Sequence, residues 1–114
     1  MKSVSKKFTK KLNQMKKEVF NKYAEGIANM FGITKEELFS KSRKRDAVDA
    51  RQLLYYLCSI RPMRIALIQE MMIENGYETS HSPIIHGIRS MRKKLKEDAD
   101  YRILVHRLEE EVTI

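Results

Sequence analysis

Residues 62–96, PMRIALIQEMMIENGYETSHSPIIHGIRSMRKKLK, read as two helices joined by a turn. Pro62 suits the first helical turn of a helix that runs through Ala66, Leu67, Met71 and Met72, and Asn75-Gly76 ends it. Ser82 is placed to cap the second helix, with Pro83 at its first helical position. There Ile84, Ile85, Ile88, Met91 and Leu95 recur at i, i+1, i+4, i+7 and i+11, one face of a 3.6-residue helix. The opposite face carries Ser82, His86, Arg89, Lys93 and Lys96, and no acid occurs from Ser82 to Lys96. An apolar back with a basic, hydrogen-bonding front suits the major groove of DNA.

The rest of the chain agrees with an all-α binding module. Its 114 residues fit one domain, with 1–31 as a basic amphipathic helix packed on or extending a helix-turn-helix domain at 32–114. A hydrophobic share of 42% is enough for a modest core and excludes full disorder. A net charge of +8 favours a polyanionic partner, nucleic acid ahead of an anionic membrane surface. Cys58 is the single cysteine, which rules out an internal disulfide and agrees with a reducing cytoplasm, where the protein is expected to be nucleoid-associated. No apolar run is long enough to span a bilayer, and no apolar signal core follows the basic start MKSVSKKFTKK.

In the first helix Phe8, Leu12, Met15, Val19, Tyr23, Ile27 and Met30 step by three or four, a stripe expected to pack on the domain among many lysines. Gly32 falls just past its end. Thr34-Lys35-Glu36-Glu37 has the capping-box pattern and starts a short helix that turns Leu38 and Phe39 inward. The polar run Ser40 to Arg45 reads as a basic loop able to reach a minor groove or its phosphates. Asp46 or Asp49 begins the next helix, whose apolar face is Ala50, Leu53, Leu54, Leu57 and Cys58. Tyr55 and Tyr56 read as packing residues, and the methionines as irregular core filling. The last helix turns Tyr101, Leu104, Val105, Leu108 and Val112 to one side, and its acidic end faces away from DNA or pairs with the lysine-rich first helix.

Catalysis finds no support. There is no glycine-rich phosphate loop, and His81, His86, His106 and Cys58 make no recognised zinc spacing. No metal, cofactor or enzymatic activity is expected.

Leu38-Phe39-Ser40-Lys41-Ser42-Arg43-Lys44-Arg45, followed by Ala50-Arg51-Gln52-Leu53, resembles the C-terminal DNA-binding domain of the bacterial replication initiator DnaA. In that family an LLSKxRxR loop precedes an ARQ helix. Ser80-His81-Ser82-Pro83-Ile84-Ile85-His86-Gly87-Ile88-Arg89 is similar to the family signature, usually Asp-His-Thr-Thr-Val-x-His-Ala-x-Arg. The likeness runs over roughly 15–110 with order and spacing kept. It implies an all-α helix-turn-helix of the DnaA C-terminal, Trp-repressor-like type that reads short origin boxes in double-stranded DNA, here with an extra N-terminal basic helix.

By match, Arg43 enters the minor groove from the loop that also carries Lys41, Lys44 and Arg45, while Arg51 and Gln52 hold phosphates. Ser80, His81, Ser82 and Pro83 occupy the base-touching end of the recognition helix, and His86, Arg89 and Lys93 continue along it. Ser80, Ser82 and Pro83 depart from the family pattern, and the segment before them lacks its usual Gly-Gly turn. Proline offers neither an amide hydrogen nor a hydroxyl, so DNA binding carries over better than box specificity. The resemblance does not extend to an ATPase module, so a role in replication initiation or its regulation is expected, in a host, phage or mobile-element setting. Alternatives are a helix-turn-helix transcriptional repressor, an RNA-binding module, and an interaction module docking on a replication protein or a second copy of itself.

Overall fold

A computed structural model describes residues 6–112. Within them lie six helices and no strand: α1 (Lys6–Phe31), α2 (Lys35–Leu38), α3 (Arg45–Ile60), α4 (Ile65–Glu74), α5 (His81–Glu97) and α6 (Ala99–Glu111). Residues 1–5 of the basic N-terminal segment lie outside the described residues.

The α3 helix is the hub, packed on α1, α2, α4 and α5. The expected apolar face, Ala50, Leu53, Leu54, Leu57 and Cys58, is fully buried, and Ala47 joins it. Burying each leucine there contributes about 1.5–3 kcal/mol relative to leaving it in water. Burial also pushes the Cys58 thiol well above its usual pKa, which removes the thiolate needed for reactivity. Asp46 sits in the first turn of α3, where a negative charge is favourable, and Lys44 is the N-cap.

The α1 stripe is buried only in its second half. Val19, Phe20, Tyr23, Ala24, Ile27 and Ala28 are in the core, whereas Phe8, Leu12 and Met15 are 55%, 38% and 42% exposed. Length explains the difference from the sequence pattern. A helix of 26 residues runs about 39 Å at 1.5 Å per residue, against about 24 Å for the 16 residues of α3. Its first turns therefore reach past the helix that covers the rest.

Beyond Gly32 the chain caps α2 as its sequence indicates, the Thr34 hydroxyl accepting from the Glu37 amide at 3.0 Å. Leu38 is buried, and Phe39 lies against Phe20 with ring centroids 6.1 Å apart. The expected start of α4 is corrected. Pro62 stays in the preceding turn, and α4 begins at Ile65 with Arg64 as N-cap. The reason lies one residue on: Met63 is buried, and its amide closes the end of α3 on the Cys58 carbonyl at 2.9 Å. A new helix must wait until that turn is complete.

Asn75-Gly76 ends α4 as expected. Gly76 takes φ +88, a left-handed conformation that only glycine adopts cheaply, and the Tyr77 amide returns to the Met72 carbonyl at 2.9 Å. The start of α5 is also corrected. Ser80 is the N-cap residue, without a side-chain cap bond, and the helix opens at His81. Pro83 thus stands third, where the missing N–H is still one of the donors a helix leaves unpaired. Gln69 Nε2, donating to the Thr79 carbonyl at 2.9 Å, anchors the turn that sets this entry point. The buried face of α5 is Ile84, Gly87, Ile88 and Met91, spaced i, i+3, i+4, i+7; Ile85, expected inward, is 37% exposed. It stands about 100° round the helix from Ile84, outside that face.

In α6, Val105 and Leu108 are buried, followed by Val112, with Tyr101 and Leu104 partly covered. Arg61 ties this end to α1, donating from Nε to the Tyr23 hydroxyl at 2.9 Å and from Nη2 to the Val112 carbonyl at 2.8 Å.

Candidate nucleic-acid interface

Two neighbouring structures make up the candidate surface, the front of α5 and the loop that precedes α3. On α5, His81, Ser82, Pro83, His86, Arg89 and Lys93 are all exposed. Ser90 Oγ lies 3.5 Å from His86 Nε2. The back of the helix is held closely. A Cβ added at Gly87 would stand 2.9 Å from Tyr55 Cδ2 and 3.3 Å from Gln52 Cγ, so glycine lets α5 seat directly on α3. Lys94 is held at the edge of the front: its Nζ is 2.5 Å from Asp49 Oδ1, while the Tyr101 hydroxyl donates to Asp49 Oδ2 at 3.2 Å. Burial first, and then the Asp49 charge, push the Tyr101 phenol up to about 12. Tyr101 therefore stays a donor to that carboxylate.

The loop before α3 is wound around one cation. Arg51 is only 6% exposed. Its Nη1 donates to the carbonyls of Ser40 at 2.8 Å, Leu38 at 3.1 Å and Glu37 at 3.5 Å, and Nη2 donates to Ser42 at 2.5 Å. Local hydroxyl turns reinforce the path, with the Ser42 amide donating to Ser40 Oγ and the Lys44 amide to Ser42 Oγ. Lys41, Arg43, Lys44 and Arg45 are exposed around this centre, Arg45 as the first residue of α3. Lys41 bridges to the turn before α5: its Nζ donates to the Glu78 carbonyl and lies 3.9 Å over the Tyr77 ring. Loop and helix meet at an open groove of about 390 Å³, whose lining includes Arg43, Arg45, Gln52, Ser90 and Lys94.

Of the residues expected on this face, Arg43, Arg45 and Gln52 meet α5 at the groove, Lys41 reaches the turn before it, and His81, Ser82, Pro83, His86, Arg89 and Lys93 are exposed along α5 itself. Arg51 is the exception and a correction. The family resemblance places it on a phosphate, but it lies inside the loop with its donors on backbone carbonyls. Gln52 is half-buried at the groove, its Oε1 buried with no hydrogen-bond partner among the described residues. Two features escaped the sequence, the Tyr77 ring between loop and turn and the Asp49–Lys94–Tyr101 network. Both join residues far apart in the chain, so local periodicity carries no signal of them. Among the described residues no group of three or more metal-ligating side chains forms, and no helix is long and apolar enough to cross a membrane.

Fold and surface together define an all-α helix-turn-helix of the DNA-binding class. The chain belongs to the family described as the bacterial dnaA protein helix-turn-helix, whose model matches residues 22–91. Among its relatives is the chromosomal replication initiator protein DnaA of Nautilia profundicola, 36% identical over 90 residues, which covers 77% of this chain and 20% of that protein. The DnaA of Porphyromonas gingivalis is 30% identical over 87 residues, covering 75% of this chain and 18% of the relative. That of Leptospira biflexa is 26% identical over 87 residues, covering 76% and 19%. The chain thus spans about one fifth of the length of these relatives. No solved structure matches it significantly.

Proposed function

We propose that this chain binds double-stranded DNA with a sequence preference, in replication initiation or its regulation. The start of α5 enters the major groove, and the loop carrying Arg43 lies along the adjacent minor groove. The observation that carries this reading is the exposure of an acid-free α5 front (His81, Ser82, His86, Arg89, Lys93) and of the basic residues Lys41, Arg43, Lys44 and Arg45, on a helix and a loop that meet at one groove. Cations on both structures neutralise phosphates and release counterions, which supplies most of the affinity. His81 and Ser82, at the first two positions of α5, meet base edges and supply the preference. Membership of the DnaA helix-turn-helix family supports the replication setting.

Fluorescence anisotropy with two duplexes, one holding a DnaA-type box and one scrambled, across a salt series, tests the proposal. The expected result is tighter binding to the box that persists at moderate salt. Equal and steeply salt-dependent binding to both duplexes would remove the sequence preference, and no binding to either would overturn the proposal.

A further inference from the structure

We infer that Arg51 is a positioning residue that sets the path of the basic loop, and that Tyr77 locks the loop to the leading turn of α5. This rests on the reading that the loop and α5 face duplex DNA. Four carbonyls, from Glu37, Leu38, Ser40 and Ser42, converge on one guanidinium. Arginine alone offers five donors in a fixed planar fork, so it can satisfy several carbonyls whose directions differ. At 6% exposure, with both terminal nitrogens donating to carbonyls, the group leaves little surface to a phosphate. The loop therefore wraps around it while Lys41, Arg43 and Lys44 stay outside.

The second half of the device is the Tyr77 ring. It receives Lys41 Nζ at 3.9 Å and Arg51 Cζ at 5.2 Å, both within cation–π range. Lys41 also donates to the Glu78 carbonyl, one residue beyond that ring. Gln69 holds Thr79 from the side of α4. Arg43 in the loop and His81 at the start of α5 are thus carried by one body, and the register between the two grooves is built in before DNA arrives.

Two measurements on the full chain separate this from a phosphate contact. Without DNA, amide hydrogen exchange at Ser42 and Lys44 is expected to quicken about tenfold in Arg51→Lys, with the protection of α3 and α5 kept. Lysine keeps the charge and the fold but lacks the fork; Arg51→Met is the companion variant. Unchanged exchange in the loop would overturn the inference. With duplex DNA, Arg51→Lys is expected to weaken binding about tenfold and to abolish the effect of Arg43→Ala, while His81→Ala keeps its own effect.

Tyr77→Phe, which keeps the ring, is expected to bind like the parent, and Tyr77→Leu like Arg51→Lys. A direct phosphate contact would instead make Arg51→Met and Arg43→Ala additive. It would also lower the salt slope by about one when Arg51→Met is added to Arg43→Ala, and either result would overturn the inference. Faster loop exchange together with no effect of Arg43→Ala on the parent's binding would uphold the loop-holding role and sink the DNA-facing reading instead.

Discussion

Lys94 Nζ stands 2.5 Å from Asp49 Oδ1, and this contact fastens α5 to α3 while Tyr101 of α6 reaches the other carboxylate oxygen. One carboxylate therefore gathers three helices. The Asp49 side chain is 12% exposed and that of Lys94 34%, so the pair lies between a surface bridge and a buried one. Lys94→Met is expected to lower stability by about 1–2 kcal/mol, because it strips the cation from a poorly hydrated carboxylate. Asp49→Asn should cost about as much. The double variant should lose clearly less than the sum of the two, and strict additivity in urea denaturation would show that the contact contributes nothing.

The same network gives a pH dependence with a definite sign. Tyr101 titrates near 10 when unfolded and is pushed up to about 12 in the fold, so between those values the folded chain holds a proton the unfolded chain has released. Stability is then fully present below about pH 10 and falls as pH rises towards 12. Burial also raises the phenols of Tyr23 and Tyr55, which adds to the fall. Tyr101→Phe should flatten the decline over this range without removing it. Parallel profiles for parent and variant would exclude Tyr101 as a contributor.

Gly87 presents a conflict between local preference and packing. Alanine is favoured over glycine inside a helix by about 1 kcal/mol. Here its methyl would lie 2.9 Å from the ring of Tyr55, itself 4% exposed and unable to swing aside. Packing is expected to win, with Gly87→Ala destabilised by about 1–2 kcal/mol through overpacking. A raised melting temperature for Gly87→Ala would mean that α5 shifts on α3 at little cost.

These contacts mark where sequence reading stops. The helices and their inner faces were legible because periodicity is local: Ala50, Leu53, Leu54, Leu57 and Cys58 read as a face and form one. Gly76 was legible because its conformation is a property of the residue itself. Phe8, Leu12 and Met15 continue the stripe but stay exposed, since periodicity describes a helix face and not the length of what covers it. Arg51 departs from its expected place for a related reason. A guanidinium serves phosphates and carbonyls equally well, and only the loop's path decides between them. Ser82 and Pro83 read as a helix start, but α5 opens two residues earlier, after a turn held by Gln69, a contact that no local pattern contains.

Arg89 and His81 sit two turns apart on the α5 front and should separate affinity from preference. Arg89→Ala is expected to weaken every duplex by about tenfold and to reduce the salt slope by about one, as loss of a phosphate contact does. His81→Ala should narrow the gap between box and scrambled duplex more than it lowers total affinity. Anisotropy titrations at several salt concentrations measure both quantities. Equal losses on every duplex for His81→Ala would count against base reading at the start of α5.

Pro83 tests whether that start can regain a lost hydrogen bond. It is exposed at the third position of α5, where helix geometry requires no amide donor, so replacing it disturbs no intrahelical bond. The related signature carries threonine there. Pro83→Thr returns a hydroxyl and an N–H to the surface proposed to face the bases. We expect stability to change by less than about 0.5 kcal/mol, as is usual for exposed sites, and the preference for a DnaA-type box over a scrambled duplex to rise. One good base contact is worth about 1–3 kcal/mol of discrimination, or roughly five- to a hundredfold and more, well within the reach of a competition titration. If preference is unchanged while the fold and total affinity are kept, position 83 does not approach a base, and the leading turn of α5 must enter the groove through His81 and Ser82 alone.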